Sequence, residues 1–333
     1  MSRPRPDLPP EKSCLGRLLV VTVIVLPALT VVVALWLAAD WWICLPEGEM
    51  EAATYVGRQA CVECHPEECD QWTGSDHDLA MDPATAESVL GDFDDCQFTH
   101  IAVDDVAKLS DRDVQTVVEN VDLTQWALAL RDLAPWAAGQ SIAPTAKEKI
   151  LAAFPEPDRA RLLARTKALE SVRPCDVTDA HREIGDVMRR LEREGKITVD
   201  FAVTSKMFRQ GDRFFVTTDN RDGEMETFPV KYVFGYRPLQ QYLVEFPDGR
   251  VQCLPVTWDT EGKRWYHLYP KEPIPHDDVL HWTGPLQNWN YMCAECHSTN
   301  LQKGYHLADN TYHTTFSEID VSCETCHGPS SLH

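Results

Sequence analysis

The chain has 333 residues and a formal net charge of −21. Such an acidic balance excludes nucleic acid as the expected partner, because phosphates would be repelled. It favours a cationic partner, and simple solubility is the alternative explanation for it.

An uncharged run at residues 18–39 is long enough to span a bilayer as a helix. Lys and Arg are concentrated before this run, so the positive-inside rule predicts residues 1–17 as a cytoplasmic tail. The bulk of the chain would then lie in the periplasm, anchored by a single pass in the inner membrane. A cleaved signal peptide is the alternative, although its apolar region is usually only about 7–15 residues.

Residues 40–102 contain Cys61-x-x-Cys64-His65, the spacing of covalent haem attachment, and form the first predicted haem segment. This segment is strongly acidic. Between positions 47 and 102 there are 14 Asp or Glu residues and one basic residue, Arg58. Cys69 and Cys96 are candidates for a disulfide in an oxidising compartment, and buried free thiols are the alternative.

Residues 103–199 read as an all-helical module inserted into the chain. Apolar residues recur at helical spacing and predict helices over 111–120, 123–133, 145–154, 156–171 and 176–195. Asp111, Asp122 and Asp176 are plausible N-caps, and Gly195 is a plausible stop.

The sequence period then changes to that of strands. Residues 200–270 contain strand-like runs at 214–219, 227–234, 240–246 and 251–258, which predict a small antiparallel sheet. Residues 271–333 are rich in loops and form the second and third haem segment. The predicted fold class is therefore α+β, with an N-terminal transmembrane helix and a cytochrome module that the helices interrupt.

Three copies of Cys-x-x-Cys-His carry the chemistry. Two thiols at this spacing can bond the two vinyl groups of one haem, and the following His binds its iron. A four-Cys zinc site is the alternative, but its two pairs are usually about 15–20 residues apart, whereas 26 residues separate Cys296 from Cys323. We expect three covalent haems c at Cys61, Cys64 and His65, at Cys293, Cys296 and His297, and at Cys323, Cys326 and His327.

Residues around these motifs resemble the multihaem c-type cytochromes related to the nitrifiers' tetrahaem cytochrome. The similar runs lie at 55–57, 75–81, 203–205, 238–247, 282–284, 287–290, 292–300 and 323–329. The resemblance implies that further histidines bind the iron of neighbouring haems, with His77 and His333 preferred and His281 third. Met81 is another possible ligand, and apolar packing is the favoured interpretation for it.

The helical module has a separate resemblance, to the C-terminal domain of the flagellar motor switch rotor protein. Matching runs include 110–115, 127–131, 147–151 and 176–195. Arg131, Arg159 and Arg173 match basic positions of that family's charged ridge. Thr166 and Lys167 stand where the family has an acidic pair, so we interpret the module as a borrowed packing unit.

These observations predict a membrane-anchored periplasmic cytochrome that carries electrons between redox proteins, cationic partners among them. A multihaem enzyme for small nitrogen or sulfur compounds is the first alternative, and it would need a haem with an open site. A motor switch-like interaction protein is the second. Relatives usually continue beyond a motif such as the third, so a longer natural protein is also expected.

Overall fold

A computed structural model describes residues 30–37, 52–131, 141–169 and 171–333. The chain divides into two units, Met1–Ala53 and Thr54–His333. In the first unit, residues 30–37 form a helix with exposed side chains. The second unit contains every other described helix and strand.

The predicted membrane anchor is corrected by this structure. Of residues 18–39, the structure describes 30–37, which are helical. Across the described ranges, no helix combines the length and the apolar character that a membrane crossing requires. This finding overturns the predicted single-pass inner-membrane localisation and the transmembrane part of the predicted fold class.

The helices of the second unit include the five predicted between residues 103 and 199, which the structure confirms with shifts of a few residues at their ends. A short helix precedes them and two follow. The helices are α1 (Pro66–Trp72), α2 (Asp111–Asn120), α3 (Leu123–Ala129), α4 (Pro144–Ala153), α5 (Glu156–Ala168), α6 (Pro174–Arg193), α7 (Trp289–Met292) and α8 (Cys323–His327).

The ends of these helices follow from local chemistry. Ser110, rather than Asp111, caps α2 by accepting a hydrogen bond from the backbone N–H of Asp113 at 3.1 Å. Asp122 caps α3 as predicted. Gly195 takes a φ of +66° just after α6, a backbone conformation that favours glycine and stops the helix.

The strands form a larger sheet than the sequence predicted. They are β1 (Met81–Pro83), β2 (Cys96–Thr99), β3 (Thr204–Gln210), β4 (Arg213–Asp219), β5 (Met225–Phe234), β6 (Leu239–Glu245), β7 (Val251–Cys253), β8 (Val256–Asp259), β9 (Arg264–His267), β10 (Tyr305–His306) and β11 (Thr311–Tyr312).

Nine of these strands join one antiparallel sheet in the order β2-β3-β4-β5-β6-β8-β9, with β1 on β5 and β7 on β6. The prediction of a small sheet is therefore wrong. The missed strands are mostly short, and the predicted strand at 251–258 divides into β7 and β8. Strand β2 pairs with β3, with Thr99 opposite Thr204, so the helices α2 to α6 are inserted between two neighbouring strands.

The apolar side chains form three clusters. Trp126, Ile184 and Met188 lie in the core of the helices. Phe228, Tyr242 and Trp282 lie in the core of the sheet. The third cluster surrounds Met81 and Trp289 and includes Ala294 of the second Cys-x-x-Cys-His motif, so the sheet directly supports that motif.

Candidate haem-binding region

The first motif lies between a short 3-10 turn and helix α1. The backbone N–H of His65 donates to the carbonyl of Cys61 at 2.9 Å, which closes the motif into one turn. Pro66 begins α1 directly after His65, where proline is favoured because its missing N–H would have no helical partner. Cys64 is exposed, so one thiol of the motif is accessible from outside.

The second motif follows helix α7, which Asn288 caps by accepting from the backbone N–H of Tyr291 at 2.9 Å. The ring of His297 packs edge-on against Phe234 of β5, with centroids 4.3 Å apart. Burial lowers the pKa of His297, and its Nδ1 atom is buried without a hydrogen-bond partner. A buried polar atom without a partner is costly, so this ring is a strong candidate for a ligand.

The first cysteine of the second motif contacts a thiol outside the motifs. Cys253 of β7 donates a hydrogen bond to Cys293, which raises the pKa of Cys253 and lowers the pKa of Cys293. A lowered pKa increases the thiolate fraction, which is the nucleophilic form of cysteine.

The third motif is helix α8 itself, which is followed by Gly328 with a φ of +79°. Its Glu324 is 1% exposed and binds the chain just before the first motif. The carboxylate accepts from the backbone N–H of Val56 at 3.1 Å, of Gly57 at 2.7 Å and of Ser330 at 2.9 Å. Burial would raise the pKa of Glu324, but these donors outweigh burial and lower it.

Thiols also meet where the first and third motifs adjoin. Burial and the nearby Cys323 raise the pKa of both Cys61 and Cys69. Cys69 and Cys96 are both free, so the predicted disulfide between them is absent. Cys69 instead faces a thiol of the third motif.

The second and third motifs are joined by threonines. The hydroxyls of Thr299 and Thr325 are 2.7 Å apart, and Thr325 lies inside the third motif. The backbone N–H of Thr299 donates to the carbonyl of Glu318 at 3.0 Å. Together with Glu324, these contacts bring into one region three motifs that lie as far apart as residues 61 and 327.

His333 lies beside the first motif. Its ring centroid is 5.9 Å from that of His65, with the planes tilted by 34°. The segment before it is fixed, because the backbone N–H of Ser331 donates to the carbonyl of Thr54 at 3.2 Å. Two imidazole nitrogens that share one metal lie about 4 Å apart, given bonds of about 2 Å each, so this ring spacing suits an iron between them.

The other predicted ligands differ in their surroundings. His77 is exposed, and its carbonyl accepts from the backbone N–H of Val321 at 3.3 Å, two residues before the third motif. His281 is buried, and its ring nitrogens contact Thr283 at 2.8 Å and Asp219 at 3.1 Å, which leaves neither free. Met81 is fully buried in the third apolar cluster, in agreement with the packing interpretation.

A carboxyl close to the third motif was missed by sequence reasoning. Burial raises the pKa of Asp320 to about 6. The positive charge of Arg58, whose Nη1 atom lies 3.6 Å from the Oδ2 atom of Asp320, acts in the opposite direction and lowers it. The sequence contains no signal for it, because the acidic stretch at 47–102 does not include Asp320.

The residues present fit haem better than a bare ion. Within the described ranges, no group of three or more His, Cys, Asp or Glu side chains could hold a metal ion. A haem iron needs only one or two protein ligands. The unpartnered nitrogen of His297, the spacing of His65 and His333, and the exposed Tyr291 and Met292 beside the second motif all suit such a group.

Two comparisons with known families cover separate parts of the chain. Residues 98–199 match the model of the FliG C-terminal domain, and residues 279–328 match the model of cytochrome c554 and c-prime. The chain is therefore similar to a haem-binding family over its second and third motifs, and to FliG over its helices. No curated protein matches it.

Among solved structures, one similar chain is the crystal structure of FliG (residues 86-343) from H. pylori. It shares 19% sequence identity at a TM-score of 0.26, and the match covers 30% of this chain and 42% of that one. The match thus spans less than half of that structure's length.

Proposed function

We propose that this protein is an electron carrier that binds three haems c covalently through its Cys-x-x-Cys-His motifs. The convergence of the motifs carries this proposal, because Glu324 links the third motif to the first and Thr299 links it to the second. Electron transfer needs cofactors close together, and these contacts would hold three haems side by side.

Five histidines act as iron ligands in this proposal. His65, His297 and His327 would bind the irons of their own motifs. His333 would be the second ligand of the haem held by His65, which its ring spacing favours over the haem held by His297. His77 would serve the haem of the third motif, since its backbone contacts Val321.

The haems would supply one-electron chemistry, and this chain's own residues would tune and expose them. The buried Asp320 and the carboxylate of Glu324 set the charge around the third motif. Exposed acidic residues on and before helix α1, Glu63, Glu67 and Glu68 among them, would attract a cationic redox partner to the first motif.

The first experiment counts haems and tests His333. A pyridine haemochrome assay on purified protein should give three covalent haems per chain, and one or none would refute the proposal. His333→Ala should retain three haems, because attachment depends on thiols, but should convert about one of them to high-spin. His306→Ala is the matched control, since His306 is exposed and its ring pairs with Asp309.

Low-temperature electron paramagnetic resonance spectra report the spin state of the irons in His333→Ala, and they also distinguish the enzyme alternative. An all-low-spin spectrum of the unmodified protein supports electron transfer. A high-spin signal that responds to nitrite or hydroxylamine would instead support a multihaem enzyme.

A second candidate role concerns the helices, and the FliG C-terminal match over residues 98–199 favours it. The helical module would recruit a protein partner while the motifs carry electrons. Replacing residues 103–199 by a short linker should then preserve haem content and abolish partner capture. Loss of haem content would instead indicate a purely structural role.

A further inference from the structure

An open cleft of about 700 Å³ lies between helix α6 and strand β9, and none of its lining residues belongs to the three motifs. Its walls carry an unusual concentration of positive charge for a chain of net charge −21. We name it the arginine cleft, after its five arginines Arg182, Arg189, Arg190, Arg193 and Arg264.

Two of these arginines are held in place by aromatic rings of the sheet. The guanidinium carbon of Arg182 lies 4.7 Å from the ring centroid of Tyr266, and that of Arg189 lies 4.6 Å from that of Phe98. Stacking fixes the plane of a guanidinium and leaves its N–H edges available to oxygen acceptors. The cleft is therefore preorganised on its inner side.

Carboxylates account for only part of the positive charge. Asp179 pairs with Arg182 at 2.6 Å, and Asp186 pairs with both Arg189 and Arg264. With Glu183, three carboxylates line the cleft against five arginines, an excess of two positive charges among the lining residues. Asp259, outside the lining, also lies 3.5 Å from Arg264.

Within the described part of the chain, two of the arginines have no carboxylate partner, and one buried donor has no acceptor. Neither Arg190 nor Arg193 has a carboxylate within 4.0 Å among the residues that the structure describes. The Nε atom of Arg182 is buried and has no hydrogen-bond partner. An ion-pair latch between helix and sheet would explain Asp179 and Asp186, but it leaves the buried Nε of Arg182 unexplained, and buried donors without partners are rare. Arg190 and Arg193 are exposed, so their N–H groups are accessible to a ligand.

The walls also restrict what could bind. Val187 is the only apolar residue that lines the cleft, and Arg182 covers Tyr266. No aromatic face is therefore offered to a nucleobase, and recognition must come from charge and hydrogen bonds. The volume exceeds that of a single phosphate, and arginine forks match phosphate oxygens in pairs.

We propose that the arginine cleft binds a multivalent phosphate oxyanion of the pyrophosphate class, which bridges helix α6 to strand β9. The oxyanion would neutralise the excess charge through Arg190, Arg193 and Arg264. Because the cleft contains no residue of the haem motifs, its occupancy is independent of the proposed electron-carrier function.

The test uses the full chain and inorganic pyrophosphate, with sodium chloride at matched ionic strength as the reference. Pyrophosphate at about one hundred times its Kd should raise Tm on the order of 5 °C, because a ligand that binds only the folded state stabilises it. Arg190→Gln and Arg193→Gln should each weaken binding about tenfold by calorimetry, the loss expected for one charge-assisted hydrogen bond. Arg161→Gln on the exposed face of α5 is the matched control and should bind as the unmodified chain does.

Inorganic phosphate and poly-glutamate complete the experiment. Tighter binding of pyrophosphate than of either supports the proposal. Equal or tighter binding of poly-glutamate would identify a docking surface for an acidic protein and overturn the proposal. A Tm rise that chloride reproduces, or that Arg190→Gln and Arg193→Gln both retain, would overturn it as well.

Discussion

Replacing the buried carboxylate of Glu324 tests whether the first and third motifs depend on each other. In Glu324→Gln, one side-chain oxygen becomes an NH₂ group that faces backbone N–H donors. The carboxylate oxygens now share three such donors, from Val56, Gly57 and Ser330. At least one short bond is therefore lost, and a buried donor is left without an acceptor.

The size of the effect follows from these contacts. A lost hydrogen bond to a charged group and an unsatisfied buried donor each cost on the order of 1–3 kcal/mol, so we expect the free energy of unfolding to fall by about 3 kcal/mol. This corresponds to a Tm lowered by roughly 6–10 °C for a domain of this size. Thermal and urea unfolding followed by circular dichroism provide the measurement.

Glu63→Gln is the matched control, because Glu63 lies inside the first motif and is exposed. It should change stability by less than about 0.5 kcal/mol. Since the folded state lowers the pKa of Glu324, the stability that the carboxylate contributes is present above its ordinary pKa and is lost as pH falls. The two variants should therefore converge in acid. A Glu324→Gln protein as stable as the control at neutral pH would refute the reasoning.

Three further predictions concern pH and backbone shape. Burial lowers the pKa of His100 to about 3, so stability should decline as pH falls from about 6.5 towards 3, and His100→Phe should flatten that slope in acid unfolding curves. The pKa of Asp320 is raised to about 6, so its negative charge destabilises the folded state at neutral pH. Asp320→Asn should therefore raise the free energy of unfolding by up to about 2 kcal/mol at pH 7 and leave it unchanged near pH 4, as measured by urea unfolding. Gly249→Ala should lower Tm in a thermal melt, because its φ is +79° and the added Cβ would lie 2.0 Å from the carbonyl oxygen of Tyr312. Gly211→Ala should lower Tm less, because no atom lies within 4 Å of the added Cβ there.

The helices were the most predictable part of the fold. Val114, Val117 and Val118 recur at helical spacing and all lie buried on one side of α2. Their caps were less predictable, since Ser110 and Asp111 are both good capping residues and only the backbone geometry selects Ser110.

The sheet and the site depend on long-range pairing, which a local pattern does not contain. Strand β2 is four residues long, and its partner β3 lies beyond the whole helical module. The three motifs were evident from spacing alone, but their convergence required Glu324 and Thr299, which look ordinary in the sequence. His281 looked available in the sequence, whereas Asp219 and Thr283 occupy its nitrogens in the structure. The predicted membrane anchor is wrong because, among the described residues, no helix is both long enough and apolar enough to cross a membrane.

The pairing of Thr99 with Thr204 has a consequence for how the chain folds. The two hydroxyls are 2.9 Å apart, and the backbone N–H of His100 donates to the carbonyl of Val203 at the same distance. Closing a flexible loop of this length before any contact forms would be entropically costly and slow. If α2 to α6 fold first through their own local contacts, the two ends of the helical segment lie side by side. Strands β2 and β3, which continue from those ends, can then pair without closing a long flexible loop. The inserted helices then act as the folding nucleus that brings β2 next to β3. The folding rate of these helices should set the rate at which the sheet is completed.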